Sequence, residues 1–232
     1  MTDKIKSIAA RYSVGTLGLF LVSVGVALSI KSDLGTSPIS CPPYVASLIG
    51  SFSIFGFKIG TVGQHTILMH LIFILMQIAL LRSRFKLESL MQIPAAFVFG
   101  ILTDLSIWAL DWISPECYGM RLVLMALAII ITALGISLEV IGNAWMLAGE
   151  MTNAAVADFL GVKFRNAKIG FDITLVIIAA AISWFCFGNL LGDGQENVIR
   201  EGTIMSALFT GLCMKGTDKL AGKMFGGIIS SR

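Results

Sequence analysis

Hydrophobic residues in this chain come in long blocks separated by short charged punctuation. Six blocks stand out: Tyr12–Ile30, Val62–Leu81, Met91–Trp112, Arg121–Ile141, Ala167–Phe187 and Val198–Met214. A helix needs ~20 mostly apolar residues to cross ~30 Å of hydrocarbon. The pattern therefore predicts an all-α integral membrane protein with six transmembrane helices, forming one membrane domain over 1–232. Composition points the same way. With 56% of residues hydrophobic and 13% charged, the chain has too little charge to cover a soluble domain of this size.

The placement of the positive charges tests this count independently. If the N-terminus is cytoplasmic, the inner segments carry Lys4, Lys6, Arg11, Arg82, Arg84, Lys86, Lys163, Arg165, Lys168, Lys215, Lys219, Lys223 and Arg232, which is thirteen of the seventeen Lys and Arg. The outer segments carry only Lys31, Lys58, Arg121 and Arg200. Cytoplasmic loops are enriched in Lys and Arg, so six spans with both termini inside are expected; one span more or fewer breaks the alternation. The cationic start before Val14–Ile30 resembles a signal peptide, but no A-x-A site follows and the run is long enough to span. It reads as an uncleaved first helix.

Two connections, 31–61 and 142–166, are long and apolar. Each holds a helix-start pattern, Thr36-Ser37-Pro38 in the first and Glu150-Met151-Thr152-Asn153 in the second. Each then offers a short apolar helix ending at a glycine, Gly50 and Gly161. Such a helix lies in the interface, packs on the bundle, or re-enters the bilayer to line a cavity.

The halves also echo each other. Gly25-Val26-Ala27-Leu28-Ser29 and Gly135-Ile136-Ser137-Leu138-Glu139 are 110 residues apart, as are Lys58-Ile59-Gly60 and Lys168-Ile169-Gly170. Ser47-Leu48-Ile49-Gly50 matches Asp158-Phe159-Leu160-Gly161 at an offset of 111, and so does Gly100 with Gly211. A constant offset indicates duplication. Three spans per copy (repeat 1 about 12–112, repeat 2 about 121–214) make the second copy inverted. Inverted repeats are a transporter architecture, with sites at the repeat interface on broken helices.

Polar side chains within apolar blocks are expensive in lipid and mark candidate sites. On the inner side, Glu139, Asn143, Glu150 and Asp172 would converge. Glu139 and Asn143 are four apart and share a helix face. Such a cluster suits a cation, a proton or an amine; alternatively its members meet Lys163, Arg165 or Lys168 as interface ion pairs. Asp104, deep in the third block, is a ligand-binding candidate or a partner of Arg121. On the outer side, Ser37, Ser40 and Gln64 are candidates beside His65. The Thr36-Ser37-Pro38 start would present free N–H groups to an anionic or carbonyl-bearing ligand, or simply cap. His70 and Gln77 lie within the second block and Gln92 opens the third; His70 reads as a helix–helix contact.

Other chemistry is not indicated. There is no P-loop, H-E-x-x-H or G-x-S-x-G motif. The two histidines and the scattered Cys41, Cys117, Cys186 and Cys213 form no metal-ligand or catalytic pattern. No enzyme activity, cofactor or nucleic-acid partner is expected. The partners expected are the lipid bilayer, a small-molecule or ion solute, and a homo-oligomeric or other membrane partner. The leading expectation is a secondary transporter or facilitator of a small solute. The alternative is a non-transporting regulator or subunit of a membrane complex, including a substrate-binding component of an energy-coupled transporter.

One family resemblance emerges. Asp33-Leu34-Gly35-Thr36-Ser37-Pro38-Ile39-Ser40, followed by Pro43-Tyr44-Val45-Ala46-Ser47-Leu48, resembles the LGxSP segment after the first span in the YczE/YyaS/YitT group of bacterial membrane proteins. Gln92-Ile93-Pro94, Phe99-Gly100 with Asp104, Lys168 with Phe171-Asp172-Ile173, and Arg200-Glu201-Gly202-Thr203-Ile204 are similar to that group as well. In the second connection Gly149-Glu150 fits, whereas Met151-Thr152-Asn153 stands where the group has more glycine. The resemblance implies a multi-pass protein of the bacterial inner membrane and supplies no substrate.

Overall fold

The structure, a computed structural model, describes residues 2–54, 57–143 and 147–229. Its helices are α1 (Thr2–Lys31), α2 (Cys41–Ile49), α3 (Val62–Leu81), α4 (Gln92–Ala109), α5 (Tyr118–Gly142), α6 (Ala148–Leu160), α7 (Phe164–Phe187) and α8 (Glu201–Ile229). A 3-10 turn, Pro38–Ser40, leads directly into α2. A small antiparallel hairpin, β1 (Phe52–Ile54) with β2 (Phe57–Ile59), follows α2. The hydrophobic pattern did not anticipate this hairpin, because two three-residue strands are too short for alternation to register.

Five helices are long and apolar enough to cross a membrane: Ala9–Lys31, Val62–Arg84, Leu87–Ala109, Tyr118–Gly142 and Phe164–Phe187. They correspond to the first five blocks. The sixth block starts α8, but that helix continues to Ile229 through Lys215, Asp218, Lys219 and Lys223, and it is not among the five. Outward faces carry large apolar side chains: Ile72 and Leu75 on α3, Ile101 and Trp108 on α4, Ile169, Ile173 and Ile177 on α7. Water does not tolerate apolar surface on this scale; lipid does.

The spine of the fold is the antiparallel pair α1 and α5, joined through small residues. A Cβ on Gly18 would lie 2.8 Å from the Gly135 carbonyl oxygen, and one on Gly25 would lie 3.0 Å from that of Ala128. Close backbone approach is how helices gain van der Waals contact where lipid removes the hydrophobic drive. These contacts are related by the sequence offset: adding 110 to 18 and 25 gives 128 and 135. Gly25 also abuts Thr132 and Gly135 abuts Val22, a second pair related in this way. Left-handed residues follow both helices, Asp33 (φ 53°) two residues beyond α1 and Asn143 (φ 45°) directly after α5, again 110 apart.

Around the spine, α4 packs on α1 and α8 on α5. The short α2 packs against α3 and α7, and the short α6 against the same two helices. The correspondence breaks where α4 also packs on α3 through Gly63 and Gly100. Among the described residues, α8 makes no comparable contact with α7.

Candidate functional site

Both short helices begin in the interior and end at the surface. Cys41 and Val45 of α2 are fully buried, while Ile49 is half exposed. Ala148 opens α6 fully buried, and Phe159 and Leu160 close it exposed. Pro38 and Pro42 stand in first turns, where a missing N–H costs nothing. Gly50 (φ 112°) and Gly161 (φ 64°) end the two helices in backbone conformations that favour glycine. The expected termini at Gly50 and Gly161 are therefore where they were read. The second helix starts earlier than Glu150, at Ala148 after the N-cap Leu147, without a side-chain cap.

The two N-terminal ends meet. A Cβ on Gly149 would lie 2.2 Å from the Ile39 Cδ1. Residues 39 and 149 also differ by 110. The Ile39 side chain thus rests directly on the start of α6.

Charged groups gather at this junction. Glu150, in the first turn of α6, accepts a hydrogen bond from Lys168 Nζ at 3.2 Å. Asp172 lies 3.8 Å from the same ammonium, one turn along α7. Glu139 is buried, its stem lodged against Gly18, and its Oε1 has no hydrogen-bond partner. Asp172 in turn lies within electrostatic range of Cys41 at the start of α2. Thus Glu150 and Asp172 share the Lys168 ammonium, while Glu139 lies on α5, which packs on α1 and α8.

The fourth inner candidate, Asn143, is an exposed left-handed C-cap whose N–H donates to the Glu139 carbonyl oxygen at 2.9 Å. Ser37 and Ser40 form a hydroxyl pair at 2.9 Å in the turn before α2, Ser40 buried. Ser37 also lines a cavity of about 10 Å³, room for roughly one water, with Ser29, Thr132 and Ser206. Gln64 and Asp104 sit together at the start of α3. Gln64 completes a capping box with Thr61, its Oε1 accepting the N–H groups of Gly60 and Thr61. Asp104 accepts from Thr61 Oγ1 at 2.6 Å and from the Gly63 N–H at 2.7 Å. A carboxylate on a helix N-terminus is a stabilising lock, and Arg121 goes instead to Asp33.

That Asp33 pair belongs to a hub at the opposite end of the bundle. Asp33 receives Arg121, the Asn197 N–H and the Asn197 side chain, while Arg200 donates to its carbonyl oxygen at 3.0 Å. The Gly202 N–H donates to Leu34 O at 2.8 Å, and a Cβ on Gly35 (φ +89°) would lie 2.5 Å from Thr203 Oγ1. The two motifs of the resemblance that lie farthest apart in sequence, Asp33-Leu34-Gly35-Thr36 and Arg200-Glu201-Gly202-Thr203, are thus one packed unit. Nearby, the hydrogen bond from Lys31 holds the Asp111 carboxyl below the usual carboxylate range.

Two polar sets escaped the candidate list. Gln77 and Gln92 exchange amide hydrogen bonds at 2.9 and 3.0 Å, and Gln77 also donates to Thr152 Oγ1 and the Ala148 carbonyl oxygen. This ties α3 and α4 to the start of α6. Asn153 is fully buried with neither amide atom hydrogen-bonded, one turn beyond Glu150. Starting α6 at Ala148 would have put Gly149, Glu150 and Asn153 on one side of it by helical spacing.

Apolar outward faces, five helices of spanning length and polar groups confined to the interior and the ends define a polytopic α-helical membrane protein. Within that class, the chain belongs to a family of unknown function, DUF6198, whose profile matches residues 9–219. No curated protein and no solved structure matches it.

Proposed function

We propose that this protein is a secondary transporter or facilitator of a small solute in a bacterial inner membrane, without enzymatic activity. In this reading α8 supplies the sixth span, and the chain is two inverted three-helix repeats with both termini cytoplasmic. The short helices α2 and α6 re-enter from opposite sides. The membership in the YczE/YyaS/YitT-like group expected from the sequence belongs to the same reading. The observation that carries it is the contact of the two half-helix starts, Ile39 on Gly149, with Asn153 one turn further along α6 buried and unpaired. Half-helix ends facing each other between repeats are where transporters place their sites. The 110-residue relation between spine contacts supports the repeat.

A thermal-stability screen of the purified protein in detergent tests this, with Glu150→Ala beside it. A ligand at ~100 times its Kd adds ~2.7 kcal/mol to the folded state. A solute-dependent shift that disappears in Glu150→Ala, with the unliganded melt retained, is expected. The same shift in both proteins would remove Glu150 from the site.

A second reading, a non-transporting subunit of a membrane complex, is favoured by the large apolar side chains that α3, α4 and α7 turn outward, which a neighbouring membrane helix could cover as well as lipid. An absence of stabilisation by any solute, together with a membrane protein that co-purifies stoichiometrically, would decide for it.

A further inference from the structure

The β1–β2 hairpin has two unlike faces. Phe52 pairs with Ile59, and Ser53 with Lys58. Side chains alternate along a strand, so Phe52, Phe57 and Ile59 share one face and Ser53 and Lys58 the other. The apolar face is covered at its root, where the Phe52 ring meets the His65 ring of α3 edge-on at 5.5 Å. Gly60 closes this root, since a Cβ there would lie 2.8 Å from the Ser51 Cβ. Towards the turn the face is open, with Phe57 76% exposed.

The start of α3 fixes the depth of the hairpin. Thr61 Oγ1 and the Gly63 N–H donate to Asp104 of α4. From Asp104, α4 runs on for five residues to Ala109, a rise of ~7.5 Å, before Asp111 pairs with Lys31. Trp108 and Trp112, both exposed, stand along and just beyond this stretch. Exposed tryptophans mark the layer between hydrocarbon and water, so Thr61 is level with the base of that layer. Strands of three residues reach ~10 Å. Even a hairpin pointing straight away from the bilayer therefore ends near the Lys31–Asp111 pair. In any orientation it stays at the depth of the headgroups or just below them.

That layer matches the hairpin's chemistry. An isolated two-stranded hairpin is marginal in water, and its open edges would lack hydrogen-bond partners in hydrocarbon. Headgroups and their water supply those partners, and the acyl chains directly beneath take an exposed phenylalanine. Lys58 is exposed on the polar face and forms no ion pair among the described residues, so its ammonium complements a lipid phosphate. The apolar face also continues the lipid-facing surface of α3 and α4, where Ile72, Ile101 and Trp108 point outward.

We propose that the β1–β2 hairpin is a lipid-binding anchor, with Phe57 seated among acyl chains just under the headgroups and Lys58 on a phospholipid phosphate. The anchor fastens the end of α2 and the start of α3 to the membrane surface. It goes beyond the transporter reading and holds whether or not a solute crosses.

The test is the depth of a nitroxide spin label attached at Phe57→Cys and, separately, at Ser53→Cys. The full-length protein lacks Cys117, Cys186 and Cys213 and is reconstituted in vesicles of phosphatidylethanolamine and phosphatidylglycerol. Power saturation reads collisions with oxygen, which partitions into lipid, and with a water-soluble nickel chelate. The oxygen-to-nickel ratio at 57 should be several times that at 53. Equal ratios, with free access of nickel to 57, would place the tip in water and overturn the proposal. Shielding of 57 from both reagents would mean that protein covers it, a second copy or another chain, and would overturn it as well. Lys58→Gln leaves position 57 untouched and gives an independent reading. In the same vesicles it should speed hydrogen exchange of the β1 and β2 amides, and an unchanged rate would overturn the phosphate contact.

Discussion

At the scale of single residues, burial decides reactivity and fit. Cys41 is completely enclosed, and burial pushes its thiol up to about 12. The thiolate fraction at pH 8 is then on the order of 10⁻⁴. N-ethylmaleimide at that pH is expected to modify Cys117, which is exposed, and to leave Cys41 untouched until the protein unfolds. Peptide mapping by mass spectrometry checks this; rapid modification of Cys41 in the folded protein would contradict its placement. Gly63 is a steric case. A Cβ there would sit 2.1 Å from the Gly100 carbonyl oxygen and 2.6 Å from Asp104 Cγ. Neither neighbour is free to move, because Asp104 is fixed by Thr61 and the Gly63 N–H. Gly63→Ala should therefore destabilise the protein by about 1–3 kcal/mol, read as a lower melting temperature in detergent. The sequence marked Asp104 as unusual because a carboxylate within an apolar block always is. It could not reveal the role, since that depends on α3 beginning beside it.

At the scale of elements, the blocks of apolar residues located the spanning helices to within a few residues, because a 20-residue apolar run has few other fates. Short elements were less legible. The start of α6 was misplaced because Leu147, its N-cap, has no capping side chain to advertise it. The Gln77–Gln92–Thr152 set was invisible as a set because its members come from three helices. Its consequence is testable. Gln77→Leu leaves the amide of Gln92 without its partner and removes a donor from Thr152 and Ala148. Buried polar groups left unsatisfied cost about 1–3 kcal/mol. The variant should lose about that much stability, and α6 should become the first helix to exchange its amide hydrogens. Unchanged protection across α6 would show that the amide network does not hold it.

At the scale of the molecule, the offset of 110 is the feature that sequence and structure share most closely. It was visible as scattered glycine matches, and the geometry gives those matches a reason. Gly25 and Gly135 are the points where α1 and α5 touch, and Gly149 is where the second short helix meets the first connection. The candidate residues divided accordingly. Glu150 and Asp172 came together on Lys168 because α6 packs on α7. Asn143, Gln64 and Asp104 serve helix ends, a role that residue type alone does not distinguish from ligand binding.

The most direct test of the account is the side from which each short helix is reached. Ser51 follows α2 and Val162 follows α6, both exposed. In a background lacking the reactive native cysteines, Ser51→Cys and Val162→Cys are labelled separately with a membrane-impermeant maleimide, in intact cells and in inside-out vesicles. In the inverted arrangement Ser51→Cys reacts only from outside the cell and Val162→Cys only in inverted vesicles. Reaction of both from the same side would contradict the inverted arrangement, and with it the meeting of two half-helices from opposite faces.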